Sequence, residues 1–167
     1  GFPLARQHFS QMLQFRAVAD ERMFDALAIQ EDYVNFVKNR LLDLAEKAGA
    51  NGDQRAEAEA QFDDVNFSVF CDLLGYPRLT GRDDPFLLLA SFDLPIYVTT
   101  SYHDFLVKAL RTAGKTPRRA ICRWHDNISA QQPDILDADF VPSAQTPLVF
   151  HLYGSDEAAG SMVLTED

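Results

Sequence analysis

The chain is short of cysteine, of basic residues and of long apolar runs, and each shortage removes a class of protein. Its two cysteines, Cys71 and Cys122, stand far apart in apolar surroundings. Neither belongs to a C-x-x-C pair, so they build no zinc ribbon. The expectation is two reduced thiols in a cytoplasmic protein, with no ligated metal. No apolar stretch approaches the roughly 18 residues that a membrane-spanning helix needs, and no secretory signal is legible. Lys and Arg total 15 against 25 Asp and Glu, a net charge of −10. Neutralising phosphates takes a basic surface, so direct nucleic-acid binding is not expected.

What is present suits one globular domain, or most of one: 167 residues, 47% of them hydrophobic, with 13 Phe. No internal repeat or low-complexity tract interrupts it. The chain begins at Gly1 without a Met, and its last residues, Thr165-Glu166-Asp167, read as the start of a helix. The expectation is therefore a fragment of a longer protein.

The pattern changes near residue 84. Before it, apolar residues recur at helical spacing over 6–27 and more clearly over 29–48, where Ile29, Tyr33, Phe36, Val37, Leu41, Leu44 and Ala48 form a stripe and Lys38 lies off it. Residues 53–74 read as a charged helical half running into a buried half, closed by Gly75-Tyr76-Pro77. Asp84-Pro85 predicts an N-cap followed by a short buried helix to Phe92. Beyond it, strands are expected at 96–99, 120–124, 148–152 and 161–164, with a helix over 102–113 stopped by Gly114. Short apolar strands separated by a helix or a long loop point to a parallel sheet. The fold class is α/β, with residues 1–83 as a mostly helical layer or insertion and 84–167 carrying the strands.

Two stretches carry candidate chemistry. In "LPIYVTTSYHDFLVKAL" a strand ends in Thr99, Thr100, Ser101, Tyr102, His103 and Asp104 just before a helix. Ligands of open α/β sheets bind outside the carboxyl ends of the strands, and a helix start attracts anions. The alternative is structural: Ser101 caps the helix, Asp104 favours its dipole and His103 faces water. In "PLVFHLYGSDEAAGSMVLTED" a strand runs into Tyr153-Gly154-Ser155. His151 and Tyr153, two apart, would share a strand face and could do acid–base work, while Gly154 lets the backbone pass close to a ligand. The alternative here is a pair of satisfied core polar residues beside a turn. A third feature is the acid-free window from Lys108 to Arg123, with Lys108, Arg111, Lys115, Arg118, Arg119 and Arg123. It is either a local positive field for an anionic ligand or a solvated face. His103, His125 and His151 have no supporting metal-ligand spacing.

Both stretches resemble motifs of the sirtuin-like domains of bacterial defence proteins. "VTTSYHDFL" is similar to their V-T-T-N-Y-D-D-L-L segment. "VFHLYGSDEAAGSMVLTED" is similar to V-x-K-L-H-G-S…S-L-V-L-T-E-D, and the order and the spacing of roughly 50 residues also fit. Arg123-Trp124 between them has a counterpart in related chains, and the resemblance covers about residues 84–167. It implies a Rossmann-like parallel sheet, binding of NAD, and hydrolysis at the nicotinamide–ribose bond as the effector step of anti-phage defence. The eukaryotic branch deacetylates lysine and normally carries a four-cysteine zinc module, which this chain cannot form.

On the same resemblance, Ser101, His103, Tyr153 and His151 stand at the catalytic positions. Thr99, Thr100, Asp104, Gly154 and Ser155 would hold the NAD. The chain departs at several of these: Ser101 replaces an Asn, His103 an Asp, Tyr153 the catalytic His, and His151 a Lys. In the family, the substituted side chains position the attacking water, hold the nicotinamide amide and deprotonate a ribose hydroxyl. A glycine-rich pyrophosphate loop would precede residue 1. Losing a general base alone costs on the order of 10²- to 10⁴-fold in rate. The resemblance therefore leaves two expectations: an NAD hydrolase, or a catalytically dead sirtuin-like sensor or assembly module. A plain interaction domain without a small ligand is a third. The implied partners are NAD, further domains of the same longer chain and, as an option, a second copy of the chain, with no membrane.

Overall fold

A computed structural model describes residues 26–45, 47, 49–81, 83–124 and 139–163. Its elements in chain order are α1 (Ala26–Ala45), α2 (Gly52–Ala60), α3 (Phe67–Leu73), α4 (Pro85–Ala90), β1 (Ile96–Thr99), α5 (Phe105–Thr112), β2 (Arg118–Ile121) and β3 (Leu148–His151). A 3-10 turn follows at Ala159–Ser161. The expected helix over 6–27 lies almost wholly outside the described residues, as do His125 and the last four residues of the V-L-T-E-D run.

The strands form one parallel sheet in the order β1-β3-β2. Ile96, Leu148 and Arg118 stand in register, as do Thr99, His151 and Ile121. The expected α/β class and parallel pairing therefore hold. The strand ends shift: the second runs 118–121 rather than 120–124, and the third stops at His151. The fourth strand expected from Ser161 begins instead on the 3-10 turn.

One sheet face is covered by α4 and α5. Tyr97 and Val149 pack with Ala90, Leu106, Val107, Ala109 and Leu110 in one buried cluster. Each fully buried large aliphatic side chain contributes about 1.5–3 kcal/mol. The Tyr97 hydroxyl donates to the Phe92 carbonyl at 2.7 Å, which satisfies the polar tip of a 6%-exposed residue. On the other face Ile96 and Val98 are exposed, so the expectation of strands buried on both sides is not met at β1.

The helical layer has its own core around Leu42, Ala45, Ala58, Phe70 and Leu74. The expected 53–74 unit is two helices. Asn51 opens α2 with a capping box, exchanging bonds of 2.8 and 3.0 Å with Gln54. Asn66 opens α3, its side chain accepting from the Val69 N–H at 2.9 Å. A second cap inside the stretch breaks it. Asp84 caps α4 as expected, accepting from Phe86 and Leu87 at 2.9 and 3.0 Å. That helix stops at Ala90 and leaves Leu88 and Leu89 exposed.

The stripe on α1 is rotated from its expected face. Leu44 is exposed, whereas Lys38 is only 2% exposed. The Lys38 ammonium donates to the carbonyls of Phe62 and Val65 at 2.6 Å each and lies over the Phe62 and Phe70 rings. Its aliphatic stem packs while its head caps the turn between α2 and α3. Burial holds its pKa below the ordinary lysine value.

Candidate functional site at the carboxyl edge

Because β1 and β3 are adjacent and parallel, the two candidate stretches leave the sheet side by side. The Leu152 N–H donates to the Thr99 carbonyl at 2.8 Å, continuing the ladder one step past both strands. Nδ1 of His151 lies 2.8 Å from the Ser101 carbonyl, and the Asp156 N–H donates to the Tyr102 carbonyl at 3.0 Å. Ser101 and the stretch around Tyr153 therefore lie side by side at one edge of the sheet.

His151 is the link between them. A carbonyl accepts only, so Nδ1 carries the proton and Nε2 is a bare acceptor. The side chain is 1% exposed, and Nε2 has no partner among the described residues. Burial lowers the His151 pKa, against a smaller raising effect of the Ser101 hydrogen bond, so the imidazole is neutral near pH 7. Tyr153 does not share its environment. The strand ends at His151, and Tyr153 is 41% exposed past the turn. The two-residue spacing fails to align them because the period-2 geometry has already stopped.

The first stretch is not a simple helix cap. The helix α5 begins at Phe105, and neither Ser101 nor the Asp104 side chain caps it. Instead the Ser101 N–H donates to the Thr99 hydroxyl at 3.0 Å, a local turn that fixes the chain as it leaves the strand. Thr100 is exposed.

His103 does not face water. Its ring stacks on Phe105 at 4.0 Å and meets Phe86, Phe67 and Tyr102 at centroid distances of 5.8–6.5 Å. Burial pushes its pKa down to about 4, despite the opposing pull of Asp104. Its Nδ1 is buried without a partner among the described residues. A base that weak, enclosed in aromatic rings, is poorly matched to proton abstraction near pH 7. Tyr102 packs edge-on against Tyr33 and Phe67, and burial raises its pKa.

Asp104, Gly154 and Ser155 are engaged within the protein. Asp104 pairs with Lys108 at 2.8 Å, and Lys108 reaches Asp72 at 2.6 Å and the Ser68 carbonyl at 3.2 Å. Burial pulls the Lys108 pKa down, but the bonds to Asp104 and Asp72 more than offset this and leave it raised. Gly154 has φ +81°, and a Cβ there would meet the Ser161 backbone oxygen at 2.1 Å. Its glycine is required by the protein's own chain. The Ser155 N–H donates to the Ser161 hydroxyl at 3.0 Å.

The basic window is largely paired. Lys108 is accounted for above; Lys115 lies 3.5 Å from Asp93, Arg119 pairs with Glu157, and Arg118 lies over the Phe140 ring. Arg118 keeps its charge over that ring, and Arg111 is exposed. Among the described residues no group of three or more His, Cys, Asp or Glu side chains forms a metal site, and no helix is long and apolar enough to cross a membrane.

Two residues that the sequence pattern did not single out prove central. Ser68 of α3 is 2% exposed; its N–H donates to the Asp156 carboxylate and its hydroxyl accepts from the Asp104 N–H at 3.0 Å. Asp156 is 6% exposed, and burial raises its pKa against the lowering effect of the Ser68 bonds. Residues this far apart in sequence leave no local signal of their pairing. Compared with known families and with curated proteins, the chain matches no family model and no curated relative.

Proposed function

We propose that the chain is a sirtuin-like module of Rossmann-like architecture that binds NAD, or a ligand of the ADP-ribose type, without hydrolysing it. The observation that carries the reading is the shared carboxyl edge of β1 and β3, closed by His151 Nδ1 on the Ser101 carbonyl at 2.8 Å. Parallel sheets present ligand sites at such edges. The residues present fit a ribose or an amide. The hydroxyls of Thr100, Ser101 and Tyr153 at this edge donate or accept.

The same geometry favours binding over turnover. Hydrolysis of the glycosidic bond needs a held water and a base. His103 is enclosed by four aromatic rings, and His151 has committed one nitrogen to the backbone. Tyr153 stands exposed beyond the strand. In this reading the module serves a longer cytoplasmic chain as a sensor or assembly surface, its other domains supplying the output.

The test is calorimetry of the full-length protein with NAD and with ADP-ribose, beside an assay for free nicotinamide. Saturable binding without nicotinamide release is the expected result. Nicotinamide release would replace the module with an NAD hydrolase. Absence of binding by either compound would remove the nucleotide reading altogether.

A further inference from the structure

Tyr33 and Phe67 of the helical layer pack on Tyr102 at the ligand edge, and Ser68 reaches both edge loops by hydrogen bonds. The N–H, hydroxyl and carbonyl of Ser68 each bond to a group outside α3. Its N–H donates to the Asp156 carboxylate in the loop after β3. Its hydroxyl accepts from the Asp104 N–H in the loop after β1, at 3.0 Å. Its carbonyl accepts from Lys108 of α5 at 3.2 Å. Ser68 lies next to the start of α3, where backbone N–H groups have no intrahelical acceptor. Asp156 supplies one from 88 positions away, and its charge suits the positive end of the helix.

The consequence lies in what the two loops do next. The loop after β1 is held at its strand end by the Ser101–Thr99 turn and at its far end by Ser68 on Asp104. The loop after β3 is held by His151 at the strand and by Asp156 on Ser68. A direct bond, Asp156 N–H to the Tyr102 carbonyl, joins the two. We infer that Ser68 and Asp156 are positioning residues, a brace from α3 that sets the separation of the two loops and thereby seats the Ser101 carbonyl on His151. The inference rests on the proposed ligand reading for its purpose, but the separation it controls is measurable without a ligand.

The brace is cut by Ser68→Ala, which removes the acceptor for Asp104 and keeps the peptide N–H for Asp156. Ser68→Thr restores the hydroxyl. Asp156→Asn keeps an oxygen for the Ser68 N–H and removes the charge. Two readouts are taken on the full-length protein below the onset of melting: NAD affinity by calorimetry, and the ¹⁵N resonances of the His151 imidazole. Wild type should show the Nδ1–H tautomer. Ser68→Ala should shift His151 toward mixed tautomers and weaken NAD about tenfold, the loss expected when a positioning hydrogen bond is cut. Ser68→Thr should restore both, and Asp156→Asn should fall between.

A purely structural role would lower the melting temperature and leave the His151 resonances and the affinity of the folded protein unchanged, and that result overturns the inference. If wild type binds no NAD while His151 still responds to Ser68→Ala, the brace stands and the nucleotide reading falls. If Ser68→Thr does not fit its buried site, the His151 response to Ser68→Ala and Asp156→Asn decides.

Discussion

Gly154→Ala separates two explanations of the turn after β3. If the glycine exists to let a ligand approach, alanine should fold normally and lose only binding. The structure gives it a different duty. At φ +81° a Cβ would lie 2.1 Å from the Ser161 carbonyl oxygen, 2.3 Å from its carbon and 2.6 Å from its hydroxyl. Two of these are backbone atoms, so no rotamer change relieves the clash. The left-handed conformation alone costs a residue with a Cβ about 1–2 kcal/mol, and forcing Ser161 aside adds about 1–3 kcal/mol. Ser161 also holds the Ser155 N–H at 3.0 Å and the Trp124 indole N–H at 2.9 Å, and both bonds move with it. The sum, about 2–5 kcal/mol, is a large part of the roughly 5–15 kcal/mol by which a domain is stable. For a chain of this length it should lower the melting temperature by about 5–15 °C. Urea and thermal melts of Gly154→Ala against wild type measure it. Gly160→Ala is the control, since a Cβ there meets nothing within 4 Å; it should stay within about 0.5 kcal/mol of wild type. A Gly154→Ala protein as stable as its Gly160→Ala control would refute the packing argument.

His103 should make the protein acid-sensitive. Its pKa is lowered to about 4 from 6.5, so its neutral form favours the fold. That stability is fully present above pH 6.5 and lost as pH falls toward 4, up to about 3 kcal/mol at roughly 1.4 kcal/mol per pH unit. His103→Leu should flatten the urea-midpoint profile between pH 7 and 4 relative to wild type; equal slopes would contradict the burial of the ring. Lys108→Met should cost about 1–3 kcal/mol in urea melts, because it strands the part-buried Asp104. Asp72→Asn, at the half-exposed end of the same lysine, should cost under about 1 kcal/mol. Burial pushes the Cys71 thiol up to about 12, so native protein should titrate Cys122 first with an aromatic disulfide reagent and expose Cys71 only on unfolding. Equal rates at both thiols would argue against the helical core.

Local chemistry was legible, and distant pairing was not. Asp84-Pro85 announces its helix because cap and first-turn proline are chain neighbours. Ile96–Thr99 and the stop at Gly114, with φ +79°, are equally local. The parallel pairing follows from the helix that must carry the chain back between β1 and β2. Periodicity puts Lys38 off the apolar stripe because its charge outweighs its stem, yet carbonyls from another turn take its ammonium. The sequence leaves His103 facing water or at a catalytic position, because nothing in S-Y-H-D shows that Phe67 and Phe86 close over it.

The same distinction bears on how the two stretches should be weighed. Among the residues that match the sirtuin-like motifs, Asp104, Gly154 and Ser155 are held by Lys108, by the close approach of Ser161 and by the Ser161 hydroxyl. Of the substituted residues, Ser101, His103 and Tyr153 take no part in the brace through their side chains, whereas His151 does, through Nδ1 on the Ser101 carbonyl. A motif can therefore serve two separable demands, one on the fold of the strand ends and one on chemistry between them. A chain relieved of the second demand would keep the glycine, the serine and the aspartate and lose the amide, the base and the imidazole, because only the first group is needed to hold the loops. Those three positions thus speak for the hold on the loops. Any claim of turnover has to come from Ser101, His151 and Tyr153.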